Sequence, residues 1–322
     1  MTSSPGFDVA CFGELIVDLV PALAANGARC FEPKAGGAPG NVAVGVAKLG
    51  GRAAMLSKVG DDAFGRLLVN TLSSYGVATE GVACTNTGTT ALAVVTVAPD
   101  GDREFMFYRT GGADSSYAPA EVDAAAIRAA RVLHIGSLIL SEPIPASAQR
   151  HAVAVAQANG VMISADVNLR PSLWSDPDDM RRAALEAVRA ANILKISEEE
   201  LAFLTGTSDR AQAVRLLWHA GLRVVAVTLG SAGAEMVTDQ GHVAVPGFAV
   251  KVVDTVGCGD AFMACLLEDL SRSGFDLSNA AALARLARRA SAAGAIAAMG
   301  AGAMESLPTG EQLEAFLAQR AG

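Results

Sequence analysis

Short apolar segments recur along this chain, and the stretches between them carry helical rather than strand spacing. That alternation constrains the fold more than any other feature. "DVACFGE", "AAMLSKVG", "RVLHIGS", "VMISADVN", "ILKIS" and "RVVAVTLG" read as buried strands. "DDAFGRLLVNTLSSYG", "PASAQRHAVAVAQANG", "DPDDMRRAALEAVRAAN" and "DRAQAVRLLWHAG" read as helices, several of them ending at a glycine or asparagine. Strands alternating with helices imply an α/β fold with a mostly parallel sheet covered on both faces. Ligands of such sheets sit at the carboxyl ends of the strands.

Two stretches break the alternation. "TTALAVVTVAPDGDREFMFYR" (Thr89–Arg109) reads as two strands around a Pro-Asp-Gly-Asp turn, a hairpin. Residues from about Leu15 to Lys34 are also extended and poor in helical period. Both are expected to form a small β layer emerging from the main sheet, as a lid over the site or as an edge decoration.

Composition narrows the function classes. The 322 residues suit one large domain, half of them are apolar, and the formal net charge is −8. That charge argues against broad nucleic-acid or anionic-membrane binding. Five scattered cysteines with no C-x-x-C pair fit a reduced cytoplasmic protein and argue against a disulfide framework or structural zinc. The opening "MTSSPGFDVACFGE" has no basic region followed by an apolar core, so no signal peptide is expected. The uncharged run from Ala290 to Met304 is too short for a membrane span.

The chemistry concentrates in two glycine clusters. In "DTVGCGDAF", a Gly-X-Gly turn runs straight into a helical pattern, which aims backbone N–H groups and the positive helix end at one point and favours an anion. Asp260 behind that turn has two readings: an N-terminal cap, or a general base beside a phosphate site. In "KAGGAPGNVAVGVAKLG", Gly36 and Gly37 precede a helix begun by Pro39, with Asn41 in its first turn. Upstream, Glu14 and Asp18 stand in an apolar strand end, where sugar hydroxyls would be suitable partners for buried carboxylates.

These motifs, with "DVNLRPSLW", "KISEEELAFLTG" and "VTLGSAG" in order between them, resemble the pfkB-type carbohydrate kinases, the ribokinase-like family, across nearly the whole chain. The resemblance implies a ribokinase-like three-layer α/β/α domain over residues 1–322, with β lid segments at about 15–35 and 87–112. It implies that Asp260 is the catalytic base and that Gly257, Cys258 and Gly259 form the anion hole. Cys258 stands where alanine is usual in the family, as an incidental small residue or as a reactive thiolate. Asp18, Gly37 and Asn41 match sugar-binding positions. Arg170 matches a phosphate- or substrate-facing arginine, with an ion pair to Asp166 as its alternative. Lys195, Thr228, Gly230 and Gly233 are expected on the nucleotide side. Ser197 replaces a familiar asparagine ahead of Glu200, which would hold Mg²⁺ through water. Asp254, Thr255, Ala297, Gly302 and Ser306 would surround a monovalent cation, K⁺. The cosubstrate implied is ATP with Mg²⁺, and the protein partner implied is a second copy of the chain through the β lid.

"GELIVDLVP", "REFMFYRTGGAD" and "DVNLRPSLW" look most like bacterial fructokinases and the related 2-keto-3-deoxygluconate kinases. Tyr108 and Arg109 would then lie near the sugar. The alternative has Phe105 and Phe107 facing the main domain and that pair in solvent. Fructose is the first expectation, ketodeoxygluconate the second, ribose or a nucleoside the third. A dinucleotide-dependent oxidoreductase is disfavoured because no G-x-G-x-x-G follows the first strand. A non-catalytic sugar sensor is disfavoured by the intact Asp260 and anion-hole glycines.

Overall fold

The computed structural model describes residues 6–97, 103–277 and 279–320. Its strands are β1 (Phe7–Phe12), β2 (Ile16–Leu23), β3 (Arg29–Gly36), β4 (Ala53–Gly60), β5 (Val82–Thr85), β6 (Leu92–Val97), β7 (Arg103–Tyr108), β8 (Ala130–Gly136), β9 (Met162–Asp166), β10 (Ile193–Ser197), β11 (Val224–Thr228), β12 (Gly233–Val237) and β13 (His242–Pro246). The helices are α1 (Ala38–Lys48), α2 (Ala63–Ser74), α3 (Ala124–Arg128), α4 (Pro143–Ala158), α5 (Pro177–Ala190), α6 (Glu198–Thr205), α7 (Arg210–Leu217), α8 (Cys258–Arg272), α9 (Ala280–Ala298) and α10 (Gly310–Ala318).

The main sheet runs β13-β12-β11-β10-β9-β8-β1-β4-β5. It is parallel from β11 to β5, and β12 and β13 are added antiparallel at one edge. Every strand expected from an apolar run is present. β5, β12 and β13 lie outside those runs; β13 alternates exposed with half-buried residues and so carries little apolar signal. Strand alternation splits the core in two. β1 sends Val9 and Cys11 to the layer containing α1, α8 and α9, and Ala10 and Phe12 to the layer of α4, α5, α6 and α7. The three layers of the expected α/β/α fold follow directly from that division.

The chain leaves β1 in one direction, toward β4 and β5, and later returns to fill β8 to β11 on the other side. The order therefore reverses between β1 and β8, which opens a crevice at their carboxyl ends. The two stretches that broke the helical alternation form a separate sheet, β3-β2-β6-β7. The expected Pro-Asp-Gly-Asp turn falls outside the described residues, but β6 and β7 pair antiparallel around it. Among the described residues, no helix is long and apolar enough to cross a membrane.

Candidate active site

A cavity of about 520 Å³ opens at the β1/β8 reversal. Glu14 from the end of β1 lines it, with Asn41 of α1, Asn168 and Arg170 beyond β9, and Lys195 of β10. The small sheet closes it from above with Ile16, Asp18 and Phe107, and α8 contributes Gly257, Gly259 and Asp260. A second cavity, of about 610 Å³, lies against the same turn and is walled by Thr228, Gly230 and Gly233 with Phe248, Val250 and Phe262. Thr255 and Gly259 belong to both walls. One cavity is rich in carboxylate, amide and cationic groups, the other mostly apolar, and a helix N-terminus stands between them.

That N-terminus is built by Gly257, which takes φ +81° as the N-cap of α8, a backbone region that disfavours side chains. Asp260 is therefore the third residue of the helix, and no side-chain capping bond is made. The capping reading of Asp260 gives way to another arrangement. Its Oδ2 accepts from Asn41 Nδ2 at 2.7 Å, across the gap between α1 and α8. Burial pushes the Asp260 carboxyl up to about 6; Asn41 pulls it down, Asp166 adds to the rise, and Lys195 and Arg170 pull it down again. A carboxylate with this affinity is ionised at neutral pH yet basic enough to draw a hydroxyl proton.

Asp166 is buried and pairs with Lys195, whose Nζ lies 2.9 and 2.8 Å from its two oxygens. The alternative ion pair of Arg170 with Asp166 is therefore not formed: register places Asp166 opposite Lys195 on the neighbouring strand. Arg170 instead donates to the Leu169 carbonyl at 2.9 Å and stays in the cavity wall. Lys195 was expected on the nucleotide side, but it lines the polar cavity.

Alternation in the small sheet corrects a second expectation. Phe107 pairs with Ala93, which pairs with Asp18, so these three share the inner face. Tyr108 falls on the outer face, 58% exposed, with its hydroxyl on Met106 Sδ. Arg109 is buried in an ion pair with Asp114 and is not part of the cavity wall. Neither residue of the expected Tyr-Arg pair meets the cavity. Gly37, by contrast, lines it with φ +101°, and a Cβ there would lie 2.5 Å from the Glu14 carbonyl.

Glu200 is drawn into backbone capping. Its oxygens accept from Leu169 N at 2.7 Å and Ser197 N at 2.9 Å, while the Ser197 hydroxyl accepts from Glu200 N. Ser197 is thus the N-cap of α6 in a capping box, and it does not line the polar cavity. In the loop expected to surround a cation, Asp254 accepts from Val256 N at 3.1 Å and from Gly302 N at 3.0 Å, and Ser306 Oγ donates to the Gly302 carbonyl. Asp254, Gly302 and Ser306 are brought together. Ala297 sits at the end of α9, where its carbonyl accepts from Gly300 N at 3.1 Å. The Cys258 thiol is pushed up to about 11 by burial and by Asp254 and Asp260, which opposes the reactive-thiolate reading.

Asp166, Asn168 and Phe107 belong to the wall without having been assigned a ligand-binding role from sequence, and Glu14 lies there beside Asp18. Asn168 takes φ +41°, a conformation that asparagine tolerates better than most residues. Glu14 is the clearest signal, a carboxylate 3% exposed whose acid form burial favours up to about 7, with Arg109 and Arg170 opposing.

The chain is similar to known proteins along nearly its whole length. Residues 7–310 match the family described as pfkB family carbohydrate kinase. Fructokinase-2 of Zea mays is 42% identical over 308 residues, covering 94% of this chain and 91% of the relative. A crystal structure of fructokinase with bound ATP from Xylella fastidiosa superposes with a TM-score of 0.90 at 30% identity, covering 98% of this chain and 99% of that one. A fructokinase from Vibrio cholerae O395, solved with fructose, ADP and calcium ion, gives 0.84 at 34% identity over 96% of this chain and 98% of that one.

Proposed function

The chain belongs to the pfkB family of carbohydrate kinases, and from that premise we propose that it transfers the γ-phosphoryl group of ATP to fructose, forming fructose 6-phosphate. The observation that carries this reading is the glycine turn shared by the two cavities, with Asp260 on the polar side of it. Fructose fits the polar cavity, where Asp18 and Asn41 meet its hydroxyls. ATP fits the apolar cavity, with Thr228, Gly230 and Gly233 along its phosphate and ribose side.

In the step itself, Asp260 accepts the proton of the sugar 6-hydroxyl as that oxygen bonds to the γ-phosphorus. The bond from the γ-phosphorus to the β-phosphate oxygen breaks, and ADP leaves with the electron pair. The amides of the turn and the Arg170 guanidinium meet the charge on the phosphoryl oxygens. Closure by the inner lid face excludes the water that would otherwise take the phosphoryl group. A Mg²⁺ ion that rides on nucleotide phosphates and keeps most of its waters needs few protein oxygens. Glu200, close enough to raise the proton affinity of Lys195, is the carboxylate that would reach that ion through water; Mg²⁺ would neutralise phosphate charge. Asp254, Thr255, Gly302 and Ser306 are the groups proposed for K⁺.

The outer lid face exposes Leu23, Phe31, Met106 and Tyr108, an apolar patch that supports self-association of two copies through the lid. Five unpaired cysteines support a reducing, ATP-containing compartment such as the cytoplasm.

An ADP-release assay over fructose, ketodeoxygluconate, ribose and a nucleoside tests the substrate. Fructose should give the highest kcat/KM. Turnover of another member of the panel with none of fructose would reject the sugar and keep the kinase.

A further inference from the structure

We propose that Lys48 is a positioning residue for phosphoryl transfer, holding residues 302–305 as a strap that presses on the glycine turn of α8. This inference rests on the phosphoryl-transfer reading above and adds to it a group outside both cavities.

Lys48 is the last residue of α1, and Asn41 lies in the first turn of the same helix. At a rise of ~1.5 Å per residue, the two stand roughly 10 Å apart along the axis. The Lys48 ammonium donates to the carbonyls of Met304 and Glu305, each at 3.1 Å. It also sits 5.5 Å from the centre of the Tyr75 ring, at the end of α2. Ser306 Oγ serves the preceding two carbonyls, of Gly302 and Ala303, at 2.6 and 2.9 Å. Lys48 supplies donors for the next two and ties the segment to α1.

That segment bears on the turn whose amides face the phosphate. A Cβ on Gly257 would lie 3.2 Å from Ala303 Cα and 3.4 Å from the Ala303 carbonyl oxygen. Gly257 is the N-cap of α8 at φ +81°, so the Ala303 backbone is the wall against which this left-handed turn is set. Gly302 N and Val256 N donate to the two oxygens of Asp254, at 3.0 and 3.1 Å, which fastens the strap to the residues entering the turn. Ala303 and Met304 are buried. Residues 302–305 line neither cavity, so they act on a ligand only through the turn.

The contacts close into a frame. α1 lies directly on α8, where a Cβ on Gly45 would come within 2.5 Å of the Ala264 methyl group. Asn41 joins α1 to Asp260 at one end, Lys48 joins it to the strap at the other, and the strap returns to Gly257. Moving the strap away from α1 breaks both bonds to Lys48. Phosphoryl transfer is sensitive to such a movement, because the amides help only when aimed at the place where charge develops. A misplacement of about 1 Å that originates far from the reacting atoms can cost about 10²-fold in rate.

The alternative is that Lys48 only stabilises the fold. The two roles separate in Lys48→Met, which keeps a side chain of similar length and removes the donors. Its kcat for fructose should fall about tenfold to a hundredfold. ADP affinity and the fructose KM should stay within about threefold of wild type, while affinity for ADP with aluminium fluoride and fructose should drop by about the same factor as kcat. Lys48→Arg, with donors for both carbonyls, should recover kcat to within about threefold of wild type. Unchanged kcat in Lys48→Met would overturn the proposal, as would equal losses for ADP and for the fluoride complex, or an arginine variant as slow as the methionine one. Should Lys48→Met fail to fold, Ala303→Gly is measured in its place, since it leaves Lys48 intact and withdraws a methyl group from beside Gly257. Wild-type affinity of that variant for the fluoride complex would overturn the proposal. Wild-type protein inactive on every sugar of the panel would reject the phosphoryl-transfer reading itself. Turnover of a panel sugar other than fructose would reject only the substrate, and the same comparison is then made with that sugar.

Discussion

Asn41 Nδ2 donates to Asp260 Oδ2 at 2.7 Å, so residues 219 apart in sequence share one hydrogen bond inside the cavity. The other amide atom, Asn41 Oδ1, is buried with no partner among the described residues. The amide thus spends one end on Asp260 and holds the other as a buried acceptor.

Removing that bond should shift the pH dependence of turnover. With Asp260 as the proposed base in its ionised form, activity should fall as pH drops through its titration near 6. Asn41 favours the ionised form, and a hydrogen bond to a charged group contributes about 1.5–3 kcal/mol. In Asn41→Ala the acid limb of the kcat profile should therefore move up by roughly one to two pH units. An unmoved limb in a pH–rate series would remove Asn41 from the base.

Asp260→Asn should lower kcat by about 10²–10⁴-fold while nucleotide binding persists. It should also stabilise the fold at neutral pH. The folded carboxyl titrates at about 6 against an ordinary 3.8, so between those values the native state holds more protons and stability falls as pH rises. Above that window the ionised, buried carboxylate costs of order 2–3 kcal/mol, which asparagine avoids. Melting curves at acid and neutral pH check the sign: the gain in Tm should be larger at neutral pH and shrink toward acid.

Asp18 lines the cavity from β2, and its loss should be felt by the sugar alone. Asp18→Ala should raise the fructose KM from about tenfold to more than a hundredfold, with the ATP KM nearly unchanged. Amide exchange in β6 and β7 should slow on adding fructose and stay fast with ATP alone. Exchange that ignores saturating fructose would leave the small sheet as decoration.

Phe107 and Tyr108 are adjacent but should behave oppositely. Phe107→Ala opens the inner face and should raise the fructose KM by about tenfold, whereas Tyr108→Ala should leave it within about threefold. If the lid joins two copies, Tyr108→Ala should weaken the dimer by light scattering. An equal effect of both on KM would contradict the alternation.

The α/β architecture was already written in the chain, because an apolar run of five to eight residues between helical stretches can bury both its faces only in a covered parallel sheet. The Gly257–Asp260 turn was legible for the same local reason: its geometry involves neighbours in sequence. Ser197 and Glu200 were read from sequence as metal-side residues, although S-x-x-E is also the local pattern of the capping box they form. Other features depend on partners that no local pattern names. Asp166 meets Lys195 rather than Arg170 because β9 and β10 pair in one register. Phe107 faces the cavity and Tyr108 solvent because β6 and β2 fix which side of an apolar hairpin lies inward. Alternation in the sequence says that adjacent residues point opposite ways, but only packing chooses the side. Asn41 reaches Asp260, and Lys195 crowds Gly259, once helices and strands distant in sequence converge at the β1/β8 reversal, so the buried environment that raises the Asp260 carboxyl exists only in the folded protein.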